Sequence, residues 1–144
     1  MQIRKAELKD IPEIVSLEEL VFKESLGESF LYDEMSLNPF SKMFVIEDEF
    51  GFIGYIGLRV DDQAELMNFA IKPSKQHQGY GQALLNYVLE LLRVEGVLLL
   101  SLEVRESNIK ARSFYEKMGF RKSHLRKDYY PTEDAIVYIK EVNA

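Results

Sequence analysis

Six consecutive residues, Gln76-His77-Gln78-Gly79-Tyr80-Gly81, hold a pattern that could do chemistry. They follow an apolar run, Leu66-Met67-Asn68-Phe69-Ala70-Ile71, and open an amphipathic segment from Gln82 to Glu95. A strand, a glycine loop and a helix in that order build an anion site. Glycine lets the backbone come close to a ligand, and the first N–H groups of a helix have no intrahelical acceptor. The helix dipole adds partial positive charge at the same end, which suits a diphosphate. Two glycines alone are also what a plain turn requires. The spacing excludes a Walker loop, which needs two glycines four residues apart and then Lys and Ser or Thr. It also excludes a Rossmann fingerprint, because Leu84 stands where the third Gly or Ala belongs.

A second group lies further on. Glu103 stands at the exit of the apolar run Val97-Leu98-Leu99-Leu100-Ser101-Leu102. Partial burial there would raise its pKa and make it a better proton acceptor. The plainer alternative is a surface salt bridge with Arg105 or a lysine. Asn108 and Tyr115 are seven residues apart and share one face of a helix. Asn108 suits the helix N-cap. Tyr115 is either a core aromatic or a proton donor, since a phenol stays protonated at neutral pH. Tyr129 and Tyr130 are expected in a loop before the last strand, as a groove wall or as a plug on a turn. His77 and His124 have no Cys or nearby His partner, so no metal site is expected; His77 reads as part of the loop or its phosphate rim.

The elements that must position these residues are legible. Gln2 to Lys5 reads as a short edge strand. Asp10-Ile11-Pro12-Glu13 reads as a helix start with Asp10 as N-cap, and Ile14, Leu17 and Val21 continue at helical spacing. A shorter helix is expected over Tyr32 to Leu37, ended by Asn38-Pro39. Lys42 to Glu47, Phe52 to Val60 and Ala64 to Lys72 read as an antiparallel meander. Gln82 to Glu95 is a helix with Leu84, Leu85, Val88, Leu91 and Leu92 on its apolar side and Gly96 at its C-terminal cap. Val97 to Val104 suits a strand covered on both faces. Asn108 to Met118 is a helix, followed by strands over Phe120 to Arg126 and Ala135 to Lys140. The expectation is one α/β domain over 1–144, with a mixed, mostly antiparallel sheet of six to seven strands and helices on both faces.

The chain has 144 residues and no cysteine, so neither a disulfide framework nor a thiolate nucleophile is available. Lys and Arg number 18 against 24 Asp and Glu, a net charge of -6. That disfavours direct nucleic-acid binding and favours a cationic substrate, or simply keeps the protein soluble. The charged N-terminus reads as neither signal peptide nor membrane span. A cytoplasmic protein, monomer or weak dimer, is expected.

Gln-x-x-Gly-x-Gly between a strand and a helix resembles the cofactor signature of the GNAT superfamily of N-acetyltransferases. The resemblance implies the GNAT fold and acetyl-CoA as co-substrate, with no metal. It implies that Gln76, His77, Gln78, Gly79, Tyr80, Gly81 and Gln82 cradle the pyrophosphate. It also implies that the backbone of Phe69, Ala70 and Ile71 pairs with the pantetheine arm. Ser107-Asn108 and Phe114-Tyr115-Glu116-Lys117-Met118-Gly119-Phe120 are similar to the superfamily's second signature, which adds Asn108 to the cofactor residues. Leu102 to Asn108, Tyr115, Arg126 to Ala135 and Asn38-Pro39-Phe40 narrow the resemblance to bacterial ribosomal-protein alanine N-acetyltransferases. Those enzymes acetylate the N-terminal alanine of protein eighteen of the small ribosomal subunit. By this resemblance Glu103 is the base, Tyr115 the acid, and Tyr129 and Tyr130 wall the peptide groove.

An amine must be neutral to attack a thioester. At pH 7 roughly a tenth of α-amines are neutral, but only a few in ~10,000 lysines. An N-terminal acceptor therefore needs only a modest base, acting directly or through one water. The departing thiolate needs a proton, which Tyr115 can give. Backbone N–H groups that polarise the carbonyl, and placement of the two reactants, would supply most of the rate. Glu24, Glu28, Tyr32 and Glu34 are candidates for the other groove wall. Three other readings remain open at this level: a relative acting on another N-terminus, a lysine or a small amine; a non-catalytic acyl-CoA-binding module; and a nucleotide-binding module.

Overall fold

The N-terminal segment forms β1 (Gln2–Lys5), which pairs antiparallel with β2 (Ser41–Asp48); β2 pairs antiparallel with β3 (Gly51–Val60). These and the other elements come from a computed structural model that describes residues 1–142. The chain continues through β4 (Ala64–Ile71), β5 (Leu99–Arg105), β6 (Arg121–Tyr130) and β7 (Glu133–Glu141). The helices are α1 (Ile11–Phe22), α2 (Glu28–Leu37), α3 (Tyr80–Val94) and α4 (Ile109–Lys117). The sheet has seven strands in the order β1-β2-β3-β4-β5-β7-β6. It is mixed and mostly antiparallel, as the sequence leads one to expect.

Contacts divide the chain into two units, Met1–Asp61 with Leu66–Leu89, and Asp62–Glu65 with Glu90–Ala144. In the first, Ile11, Ile14 and Leu17 repeat every three residues along α1 and are buried against Leu31, Met43, Val45, Phe52 and Tyr55. Asp10 does not cap α1 with its side chain. Its carboxylate accepts both Arg4 guanidinium nitrogens at 2.8 Å and the Glu7 N–H at 2.8 Å. A bidentate charged partner outcompetes a neutral helix amide. Helix α2 starts at Glu28, earlier than the expected Tyr32, because Gly27 takes φ +95° and its carbonyl accepts the Leu31 N–H at 3.1 Å. Leu84, Leu85 and Val88 on α3 are fully buried.

In the second unit β5 pairs parallel with the start of β4 (Ala64↔Leu100, Glu65↔Ser101) and antiparallel with β7. Strand β7 pairs with β6, which is longer than expected and includes Tyr129 and Tyr130. The expectation of a loop at these tyrosines is corrected. They sit on a strand distorted by a bulge, where Lys127, Asp128 and Tyr129 lie between the pairs Arg126↔Ala135 and Tyr130↔Glu133. Asp128 takes φ +52° there, and its N–H donates to the Asp134 carboxylate at 2.8 Å. Bulges of this kind re-aim side chains. Among the described residues no helix is long and apolar enough to cross a membrane.

Candidate functional site

In the first unit β4 runs through Phe69, Ala70 and Ile71 into a short 3-10 turn, Pro73–Lys75, and then the glycine loop. Strand β3 comes so close to β4 that a Cβ on Gly54 would lie 2.5 Å from the Ala70 carbonyl. The turn is tied down at both ends. The Gln76 amide donates to the Ile71 carbonyl at 3.1 Å, the Gln78 amide to the Ser74 carbonyl at 3.2 Å, and Lys75 pairs with Asp48 at 3.3 Å. Gln76 thus faces its own strand end, which fixes the angle at which the loop leaves β4.

His77 and Gly79 both hold positive φ, +62° and +88°. His77, Gln78 and Gly79 are exposed. A Cβ on Gly79 would meet nothing, so the glycine is there for backbone conformation and open approach. Tyr80 is the first residue of α3, and the helix ladder begins with Ala83 N–H bonding the Gly79 carbonyl at 3.0 Å. The amides of Tyr80, Gly81 and Gln82 precede that ladder, as an anion site requires. Gly81 lies inside the helix with ordinary φ.

The same unit contains a mainly apolar cavity of about 130 Å³. Leu26, Phe30, Glu34, Tyr55, Met67 and Asn68 contribute to its walls. Met67 and Asn68 immediately precede Phe69 on β4, so the cavity adjoins the strand segment singled out for the cofactor arm. Of the four candidates for a groove wall, Glu34 lines this cavity, while Glu28 and Tyr32 line a shallower depression with Leu8, Ile11 and Pro12. Glu24 lines neither. Glu34 accepts two hydrogen bonds from Arg59 at 2.9 Å and one from the Asn38 amide at 2.9 Å. The Arg59 bond holds its carboxyl below the usual range against the opposing effect of burial.

In the second unit Glu103 is mostly covered, with its side chain 17% exposed. Its partner is Arg126 on β6, not Arg105 or a lysine as the sequence alternative had it. The Tyr129 hydroxyl also bonds Glu103, and that bond, helped by burial, raises the phenol's pKa. The Arg126 guanidinium lies over the Tyr129 ring at 4.4 Å. Arg105 instead stacks over Tyr130 at 4.0 Å, and the two tyrosine rings meet edge to face at 5.0 Å. Glu103, Arg126 and Tyr129 are therefore one cluster, with Tyr130 attached to its edge. Arg126 carries no local signature that would have marked it as a partner of Glu103.

Asn108 does cap α4, accepting the Ala111 N–H at 3.1 Å through Oδ1. That leaves its Nδ2 as the donor side a ligand could meet. Tyr115 is buried against Phe114 and Phe120, ring centroids 5.3 and 5.5 Å away, and burial pushes its pKa up. Among the described residues no side-chain polar atom is both buried and without a hydrogen bond. Burial alone acts on the Tyr115 hydroxyl and keeps it protonated at neutral pH. The Ser107 hydroxyl donates to Glu133 at 2.8 Å, and Arg112 donates to the Glu106 carbonyl at 2.8 Å, which fastens the turn between β5 and α4. Among the described residues no group of three or more His, Cys, Asp and Glu side chains is arranged to hold a metal ion.

The acetyltransferase (GNAT) family model matches residues 9–120. A Bacillus subtilis (strain 168) protein, provisionally named a ribosomal protein bS18-alanine N-acetyltransferase, is 34% identical over 144 residues, 98% of this chain and 95% of that one. The ribosomal protein bS18-alanine N-acetyltransferase of Escherichia coli (strain K12) is 37% identical over 123 residues, 83% of this chain and 76% of that protein. The crystal structure of the Escherichia coli ribosomal-protein-S18-alanine N-acetyltransferase superposes with a TM-score of 0.89 at 31% identity, covering 98% of this chain and 93% of that one.

Proposed function

The chain belongs to the GNAT family of acetyltransferases, and from that premise we propose that it moves an acetyl group from acetyl-CoA to the α-amine of an N-terminal alanine, that of ribosomal protein bS18. The observation that carries the cofactor half is Gly79, which stands at φ +88° with open space before it and the first amides of α3 behind it. A pyrophosphate can lie against backbone N–H groups there. Gln76 to Gln82 hold it, and the backbone of Phe69, Ala70 and Ile71 takes the pantetheine arm; in the second unit Asn108 keeps Nδ2 as a donor for a cofactor. The acceptor half is supported by relatives that match 98% and 83% of the chain and are named for that acceptor.

Acetyl-CoA supplies the thioester; the protein places the amine and handles two protons. Glu103 takes the proton that the amine loses as the new C–N bond forms, directly or through one water. It already accepts bonds from Arg126 and Tyr129 and has lone pairs for a further donor. Tyr115 gives a proton to the sulfur as the C–S bond breaks, and burial keeps it protonated until then. In the first unit the cavity beside β4 takes the acceptor's first side chain; in the second, Tyr129 and Tyr130 are the peptide-contacting residues. The enzyme works in the cytoplasm, as a monomer or weak dimer.

The test is acetyl transfer to a peptide with the N-terminal sequence of bS18, read as thiol release and as the site of the added acetyl group. The expected product is α-acetylated and resists Edman degradation. Turnover of free lysine or a small polyamine, with none on the peptide, would assign the chain to a different acceptor. CoA binding without turnover of any amine would make it a binding module.

A further inference from the structure

We infer that Glu18, which no role above uses, is a positioning residue that sets acceptor choice by fastening the segment between α1 and α2 onto the cavity beside β4. Glu18 is 1% exposed, on the core side of α1. Its carboxylate accepts the Ser25 hydroxyl at 2.6 Å, the Leu26 N–H at 3.2 Å and the hydroxyl of Tyr55, itself fully buried on β3. All three donors are neutral, and burial and Glu18 push the Tyr55 pKa up, so the phenol stays protonated and donates to the carboxylate.

The contacts form a chain that ends at the cavity. Ser25 Oγ, having donated to Glu18, accepts the Gly27 N–H at 2.9 Å, and the Gly27 carbonyl starts the ladder of α2. Leu26, Phe30, Leu31 and Glu34, which this arrangement aims, are cavity walls, and so is Tyr55. A buried carboxylate with three partners, two on the segment that follows α1 and one on β3, is costly to leave half satisfied. One side chain therefore determines where a wall otherwise carried by an exposed connection stands. The inference rests on the reading of the cavity as the acceptor pocket.

Ser25 does not line the cavity, so Ser25→Ala changes the fastening and not the lining. Glu18 does not line the cavity either, and Glu18→Gln, which keeps the side chain's shape but replaces one accepting oxygen, serves as the second variant. Both are assayed in the full chain with acetyl-CoA and hexapeptides that begin with alanine or leucine. Losing one bond to a buried carboxylate is expected to raise the acceptor KM about tenfold. The preference between the two peptides falls with it, while kcat and the KM for acetyl-CoA hold. Cooperatively melting variants whose acceptor KM and preference match the parent, with only a lowered Tm, would reduce Glu18 to a structural residue and overturn the inference. Gly57→Val separates the two levels, because Gly57 lines the cavity and its Cβ would meet only ordinary contacts, Met43 Cγ at 3.6 Å. An unchanged acceptor KM in Gly57→Val would remove the pocket reading itself. A raised KM there, with Ser25→Ala and Glu18→Gln unchanged, would remove only the role of Glu18.

Discussion

Arg126 donates a charged hydrogen bond to Glu103 from two strands away: β7 lies between β5 and β6, and the guanidinium spans it. The residues face the same side of the sheet because Glu103 pairs with Val137 and Arg126 with Ala135, two residues apart on β7. The proposed base is therefore held in place by its own sheet.

If Glu103 carries the proton, Glu103→Gln should lower kcat by about 10²–10⁴-fold with acetyl-CoA affinity unchanged. Arg126→Ala should have a smaller effect, about tenfold in kcat, because it loosens the carboxylate without removing it. Steady-state kinetics beside calorimetric titration of acetyl-CoA read both. Parental turnover in folded Glu103→Gln would remove the assigned role.

Tyr115→Phe keeps the ring that packs on Phe114 and Phe120 and removes only the hydroxyl. Stability should stay within about 1 kcal/mol of the parent, since the ring packing is kept. Turnover should fall about 10²-fold if the hydroxyl protonates the leaving sulfur. A substrate with a better thiol leaving group should recover much of that loss, which a purely structural tyrosine would not allow.

Two glycines should respond differently to alanine. At Gly79 the added Cβ meets nothing, so the cost is that of a positive φ, about 1 kcal/mol, and relaxation of the loop should weaken acetyl-CoA binding. At Gly54 the Cβ would strike the Ala70 carbonyl and Ile71, so β3 and β4 must separate at a cost of about 1–3 kcal/mol. Thermal melts and acetyl-CoA titration of both variants test this. A Gly54→Ala protein as stable as the parent would contradict the close approach of the two strands.

Arg4 and Asp10 make a pH-dependent contribution to stability. The Arg4 hydrogen bonds hold the Asp10 carboxyl below its usual range, outweighing burial. The unfolded chain then binds the extra proton first, so stability present above an unfolded pKa of about 4 is lost as the pH falls through the lower native value. Asp10→Asn should cost about 2 kcal/mol at pH 7, and the gap to the parent should narrow below pH ~4. Urea melts across that range measure it; a gap that widens on acidification would reverse the assignment.

Elements whose cause is local are written in neighbouring residues. Leu84, Leu85, Val88 and Leu92 repeat with the helical period, and Gly96 and Gly119 stand with positive φ just past α3 and α4. The glycine loop is equally local, because its conformation depends on neighbouring residues and on the helix that follows. Asn108 was legible as a cap for the same reason. Other relations were decided only by the tertiary structure. Arg126 reaches Glu103 because of strand register, Tyr129 and Tyr130 sit on a bulged strand because Asp134 takes up the Asp128 N–H, and Asp10 abandons its helix for Arg4. Glu18 meets Tyr55 across 37 positions. Periodicity and turn chemistry are written in adjacent residues, whereas the partner of a buried charge is chosen by which strands lie side by side, and a single stretch of chain does not contain that information.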